Sequence, residues 1–291
     1  MTSVMRQIQA WGTSQSQHTV RSALAFVPIL IFIGLVGVGT TVILLQLLRL
    51  MPERGTFTLQ TFFGATTLFS AMMVSVLVAA HLWARWLGYN GLGFIGLNSR
   101  FGSGVLGLIL GVGAQTVSFG MLSALGWLQL QGVNFSGQAI INVALLTLSS
   151  LNAAVVEEAV FRGVLYSVFR PRWGWWRTAL ITAIVFALPH FLTNTYTSFF
   201  SAGLGLLIGG VLFAWAREIG KSLWLPMGIH FGWNAAIGWL NLAAGDTPHL
   251  LITKLNGPAW AVGNWVLNDW ALLVILALSL LAVTFKARGA G

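Results

Sequence analysis

Apolar residues run along this chain in long blocks separated by short polar breaks. The first block, from Ala23 to Leu48, contains no charged residue and follows about twenty mostly polar positions, "MTSVMRQIQAWGTSQSQHTVR". A helix that crosses a bilayer needs roughly 20 mostly apolar residues. That criterion yields eight candidate spans, at approximately 23–48, 62–84, 104–128, 139–169, 178–195, 197–216, 222–242 and 264–285. The polar stretch "HFLTNTYTS" divides the fifth from the sixth. The first span is longer than the apolar core of a cleavable signal, so it reads as a retained helix.

Composition agrees with the pattern. Hydrophobic residues make up 57% of the 291 positions and charged residues 7%, with a mean hydropathy of +0.83. In soluble domains about a quarter of residues are charged. The expected fold is therefore an all-α polytopic membrane protein of about eight transmembrane helices. It divides into a cytoplasmic segment 1–22, a single membrane domain 23–285 and a tail 286–291. The absence of cysteine excludes disulfides, thiolate metal sites and thiol nucleophiles.

The net charge of +9 comes from basic residues scattered singly, with no contiguous patch for nucleic acid. Eight spans put Arg6, Arg21, Arg85, Arg100, Arg170, Arg172, Arg177, Arg217, Lys221, Lys286 and Arg288 on one side. The other side receives Arg49, Arg54 and Lys254. By the positive-inside rule both termini face the cytoplasm. Trp83 and Trp86, then Trp173, Trp175 and Trp176, fall where aromatic belts are expected. Small-residue pairs at Gly107/Gly111, Gly205/Gly209 and Gly228/Gly232 suit close helix packing. The loop "AAGDTPHLLITKLNGPAWAVGN" before the last span has room for a short interfacial helix.

Charged groups at membrane depth are costly and need a partner, a water-filled cavity or a function. Here they are few: Glu157, Glu158 and Arg162 on span four, His190 on span five, His230 and Asn234 on span seven, and His81 near the end of span two. Glu157 lies twelve residues before Phe169 and His190 twelve after Thr178, each about 18 Å deep at 1.5 Å per residue. His230 and Asn234 fall at about 12 and 18 Å by the same rise. Three helices thus bring polar residues to one layer. Arg162 lies roughly 40° from Glu158 around a helix and about 140° from Glu157. Glu158 and Arg162 are therefore expected to pair, leaving Glu157 free to face span five.

A carboxylate, two imidazoles and an amide in one layer suit hydrolysis of a carbonyl compound. Glu157 is a candidate general base towards water, with His230 and Asn234 as candidate donors to an oxyanion. The other arrangement is a zinc ion on Glu157, His190 and His230 that activates the water. His81 alone reads as a helix–helix hydrogen-bonding residue.

"EEAVFRG" at 157–163, Phe186 and His190 in "FALPH", and His230 and Asn234 in "HFGWN" resemble three ordered motifs, EExxxR, FxxxH and HxxxN. They are those of the CAAX-processing and bacteriocin-processing (CPBP, Abi) family of intramembrane proteases, which includes the Ras-converting CAAX endopeptidase. The similar core spans about 139–242. The resemblance implies an intramembrane endopeptidase in which Glu157 and His190 activate water. It implies further that His230 and Asn234 stabilise the oxyanion and that Glu158 with Arg162 supports the site. Its substrates would be membrane-embedded or lipidated peptides or proteins, and Zn2+ stands as the alternative to metal-free glutamate chemistry. The compact, cysteine-free chain fits a prokaryotic plasma-membrane member. A non-proteolytic membrane scaffold or regulator of the same fold is the alternative function.

Overall fold

The computed structural model describes residues 43, 46–48, 58–86, 91–93, 95–193, 204–242, 248–258 and 281. Within them, α1 (Leu59–Trp86) leads through a 3-10 turn at Gly91–Gly93 to α2 (Phe101–Ala124). A strand β1 (Leu128–Val133) precedes α3 (Gly137–Glu158), which continues without a break into a π-helical segment at Ala159–Leu165. After it come α4 (Tyr166–Thr193), α5 (Leu204–Gly220), α6 (Trp224–Trp239) and the strand β2 (Leu251–Leu255).

Local chemistry sets several boundaries. Ser136 caps α3, its hydroxyl accepting from Ala139 N–H at 3.3 Å. Gly126, at φ 71, ends α2, and the Trp127 N–H reaches back to the Leu122 carbonyl at 2.9 Å. Asn241, at φ 49, ends α6 in the same way, with Leu242 N–H on the Ile237 carbonyl at 3.0 Å. Gly174 breaks α4 at φ 73 and ψ 178. The chain folds back there: Phe161 and Phe186, thirteen residues before and twelve after the glycine, meet edge to face at 5.3 Å.

Three described stretches are long and apolar enough to cross a membrane: Phe62–Arg85, Phe101–Ala124 and Gly137–Leu188. The last contains expected span four and the first part of expected span five, residues 178–188, joined through the helical segment 166–173 and the break at Gly174. Phe63 and Ile109 are 64% and 62% exposed, an outward apolar surface suited to lipid. The helices α5 and α6 have 17 and 16 residues, about 26 and 24 Å. The chain is a helical membrane protein. Expected spans 23–48 and 264–285 lie outside the described residues except at 43, 46–48 and 281.

One expectation is corrected. The loop before the last expected span carries a strand where a short interfacial helix had room. Leu251–Leu255 pairs antiparallel with β1, Leu128 opposite Leu255 and Val133 opposite Leu251. Ile252 and Thr253, β-branched and next in line, fit a pleat better than a helix. The ribbon is tied to the bundle by Thr253 Oγ1, which donates to the Asn241 carbonyl at 2.7 Å, and by Asn142, which donates to the Pro248 carbonyl at 2.7 Å.

Helices α2 and α6 pack backbone to backbone. A Cβ on Gly107 would stand 2.8 Å from Ile229 N, and one on Gly232 would stand 2.6 Å from the Leu108 carbonyl oxygen. Two of the glycine pairs anticipated for packing thus form this contact, and they fix the helix that carries His230.

Candidate active site

The sequence "EEAVFRG" straddles the junction of α3 with the π segment, Glu158 being the last α-helical residue. Single π turns inside α-helices recur at functional sites because the extra residue re-aims the side chains around it. Gly163 lets the segment seat deeply; a Cβ there would stand 3.1 Å from Ile95 Cβ and 3.3 Å from Leu223 Cδ1.

Glu158 and Arg162 are both 0% exposed and paired, Arg162 Nη1 donating to Glu158 Oε1 at 3.0 Å. The pair expected from the spacing is present. Burying both charges is costly and is offset only in part, since Glu158 Oε2 and Arg162 Nε have no hydrogen-bond partner among the described residues. Arg162 Nη2 donates to the Gly210 carbonyl on α5 at 2.9 Å. A Cβ on Gly210 would stand 2.7 Å from Ala183 Cβ, so glycine is what lets this carbonyl come close. The rings of Phe161, Phe186 and Phe213 surround the guanidinium, with Cζ 5.9, 4.5 and 5.1 Å from their centroids. In a dry setting such contacts contribute about 2 kcal/mol.

His230 on α6 connects both glutamates. Its Nδ1 lies 3.0 Å from Glu158 Oε1, and its Nε2 lies 3.7 Å from Glu157 Oε2. Arg162 holds Glu158 as a carboxylate acceptor, so Nδ1 carries the proton and donates. In the neutral ring, Nε2 then presents a lone pair towards Glu157. Phe213 stacks on the imidazole at 4.9 Å and 15° and sets its plane. Glu157 is 27% exposed at its side chain, yet its Oε2 is buried without a hydrogen-bond partner among the described residues.

His190 stands at the far end of α4. Its Nδ1 lies 2.9 Å from the Phe186 carbonyl oxygen, which only accepts, so Nδ1 is protonated, and Nε2 has no hydrogen-bond partner among the described residues. Phe186 links it to the rest, its ring 4.8 Å from the His190 ring and 6.2 Å from the His230 ring. Asn234 is half-buried one turn beyond His230. His81 packs under the Gly91 turn, where a Cβ would stand 2.5 Å from its Nδ1.

The expectation that Glu157 faces span five changes in detail, since its nearest ionisable partner is His230 on α6. The described residues include no group of three His, Asp or Glu side chains placed to hold a metal ion. Gly210, Phe213 and Arg217 belong to the surroundings of the site, a part that the sequence does not show for any of them. A glycine and a phenylalanine in an apolar helix carry no signal of their own.

Residues 139–236 match the family model described as Type II CAAX prenyl endopeptidase Rce1-like. The matched stretch runs from the start of α3 to Ala236 in α6 and contains all three motifs, so the resemblance read from them holds. No curated protein and no solved structure matches the chain significantly.

Proposed function

We propose that this integral membrane protein, with its Rce1-like segment from α3 to α6, is an intramembrane endopeptidase that hydrolyses membrane-embedded or lipidated peptides. The observation that carries the proposal is the approach of His230 Nε2 to Glu157 Oε2 at 3.7 Å, with the Glu157 side chain 27% exposed. That gap is long for a direct hydrogen bond. A partly exposed carboxylate set beside an imidazole is suited to take a proton from an attacking water.

A water hydrogen-bonded to the Glu157 carboxylate keeps an oxygen lone pair free to attack a carbonyl carbon. As the C–O bond forms, Glu157 takes the proton from the water, and the carbonyl π electrons move onto oxygen. Asn234, one turn along the helix, is suited to donate from its amide to that oxyanion. Collapse of the tetrahedral species breaks the C–N bond, and the proton held by Glu157 passes to the departing amine. His190, with Nδ1 bound to a carbonyl, offers Nε2 as an acceptor and serves this proton transfer.

In this scheme His230 orients Glu157, where the family resemblance implied the oxyanion, because its Nε2 faces that carboxylate. Arg162 and Glu158 hold the imidazole tautomer and do not react. The basic residues near the ends of the described helices, among them Arg85, Arg170 and Lys221, support a cytoplasmic location of both termini. The cysteine-free composition supports a prokaryotic plasma membrane.

The deciding experiment presents a lipidated peptide to the purified protein in vesicles, wild type against Glu157→Gln. Cleavage by the wild type and its loss in the variant is the expected result. Equal cleavage by both would sink the scheme, and a wild-type protein that acts in cells without cleaving would favour the scaffold reading.

A further inference from the structure

We propose that Arg217 is a positioning residue for the Glu157–His230 pair, acting through the backbone of the π segment. Helix α5 reaches Arg162 at two places. The Gly210 carbonyl accepts from the Arg162 guanidinium at 2.9 Å, and Arg217 Nε donates to the Arg162 carbonyl at 3.3 Å. Residues 210 and 217 are seven apart, about two turns on one face of α5. One helix thus grips both the side chain and the main chain of a single residue. The gripped residue lies inside the π segment, just beyond the two glutamates.

Arg217 is itself confined. Its Cζ lies 5.7 Å from the Tyr166 ring on one side. Gly96, at φ 91, also lies against it: a Cβ there would stand 2.6 Å from Arg217 Nη2. The Tyr166 hydroxyl donates to Glu218, which Arg170 and Lys221 also hold. The guanidinium is therefore a fixed donor.

A π turn is one residue out of step with the α-helix around it, and each residue of helix turns the chain by about 100°. A shift in that register would rotate Glu157 and Glu158 against Arg162 and α5. A donor held on the Arg162 carbonyl selects the register in which Glu158 meets Arg162 and His230 stands between both glutamates. Arg217 makes no hydrogen bond or ion pair with Glu157, His190, His230 or Asn234 among the described residues, so its effect passes through the backbone.

The inference rests on the proteolytic reading for one of its two readouts. In vesicles, Arg217→Gln is expected to lower kcat on a lipidated peptide about tenfold or more, with KM within about twofold, since small misplacements of reacting groups cost this much. The same variant is expected to shift the 15N resonances of the His230 imidazole. Arg217→Lys, which keeps a donor and the charge, should recover part of both effects. Gly96→Ala, whose Cβ would press on the guanidinium, should reproduce them and carries the test if Arg217→Gln does not fold. Unchanged kcat with unchanged His230 resonances would overturn the proposal, as would a loss that lysine does not relieve at all. If the wild type cleaves nothing, yet the resonances move with Arg217→Gln and return with lysine, the endopeptidase reading fails and the positioning role stands.

Discussion

His230 and Glu157 face each other across 3.7 Å, while the other nitrogen of the same imidazole holds Glu158 at 3.0 Å. Neighbouring residues on a helix diverge by about 100°, so two adjacent glutamates do not ordinarily meet one side chain. They do so here because an imidazole has nitrogens on two edges and each glutamate takes one. The three groups form a relay: Arg162 fixes Glu158, Glu158 fixes the His230 tautomer, and that tautomer decides what Nε2 offers to Glu157.

Glu157→Gln keeps the shape of the side chain and removes the base. The rate of peptide cleavage is expected to fall by about 10² to 10⁴, the usual contribution of general-base catalysis, with little change in thermal stability. Steady-state kinetics and a melting curve on the same preparation check both parts.

Incubation with a strong chelator followed by removal of the chelate is expected to leave the wild-type rate unchanged, because no three candidate ligands converge among the described residues. Loss of activity that added Zn2+ restores would reverse this and return Glu157, His190 and His230 to a metal-binding role.

Glu158→Gln leaves the Arg162 guanidinium buried without its counter-charge. Breaking a buried pair from one side costs about 3–5 kcal/mol. Chemical unfolding in detergent should register a loss of this size, in contrast to Glu157→Gln. A stability equal to that of the wild type would mean that the pair is not sealed from solvent.

Gly232→Leu should force α2 and α6 apart, since even a Cβ there would stand 2.6 Å from the Leu108 carbonyl oxygen. Overpacking typically costs about 1–3 kcal/mol, and a backbone contact is at the upper end. Gly113→Leu on α2, with nothing within 4 Å of its Cβ position, should be tolerated. Comparing the two melting temperatures isolates the packing effect.

Glu218 sits at the end of α5, beyond the apolar span expected at 197–216. Hydrogen bonds from Arg170 foremost, then from Tyr166 and Lys221, hold its carboxyl down at about 2 from an ordinary 4.5. A depressed folded-state value means that the stabilisation is complete above about pH 4.5 and is lost as pH falls towards 2. Melting temperatures recorded over that window should fall for the wild type and fall less for Glu218→Gln. Parallel curves would show that the cluster adds nothing to stability.

Much of this site is legible in the amino-acid sequence, because the cost of burying charge makes each polar residue in an apolar block informative. Glu158 and Arg162 announce their pairing through a four-residue spacing, and the glycine pairs on α2 and α6 announce a close helix contact. The strand at Leu251–Leu255 was hidden because five residues in a polar loop have no period long enough to read. Its pairing partner lies more than a hundred residues away.

Local order along the chain thus determined the helical membrane class, the three motifs and the Glu158–Arg162 pair, since hydropathy and helical spacing act over a few turns. Only the tertiary structure decided that Glu157 answers to His230, that Gly210 and Arg217 grip Arg162, and that three phenylalanines enclose its charge. Those relations join α3, α4, α5 and α6 across as many as 73 positions, from Glu157 to His230. They depend on how helices pack and on one residue of π register, and no local pattern of apolar and polar positions encodes either.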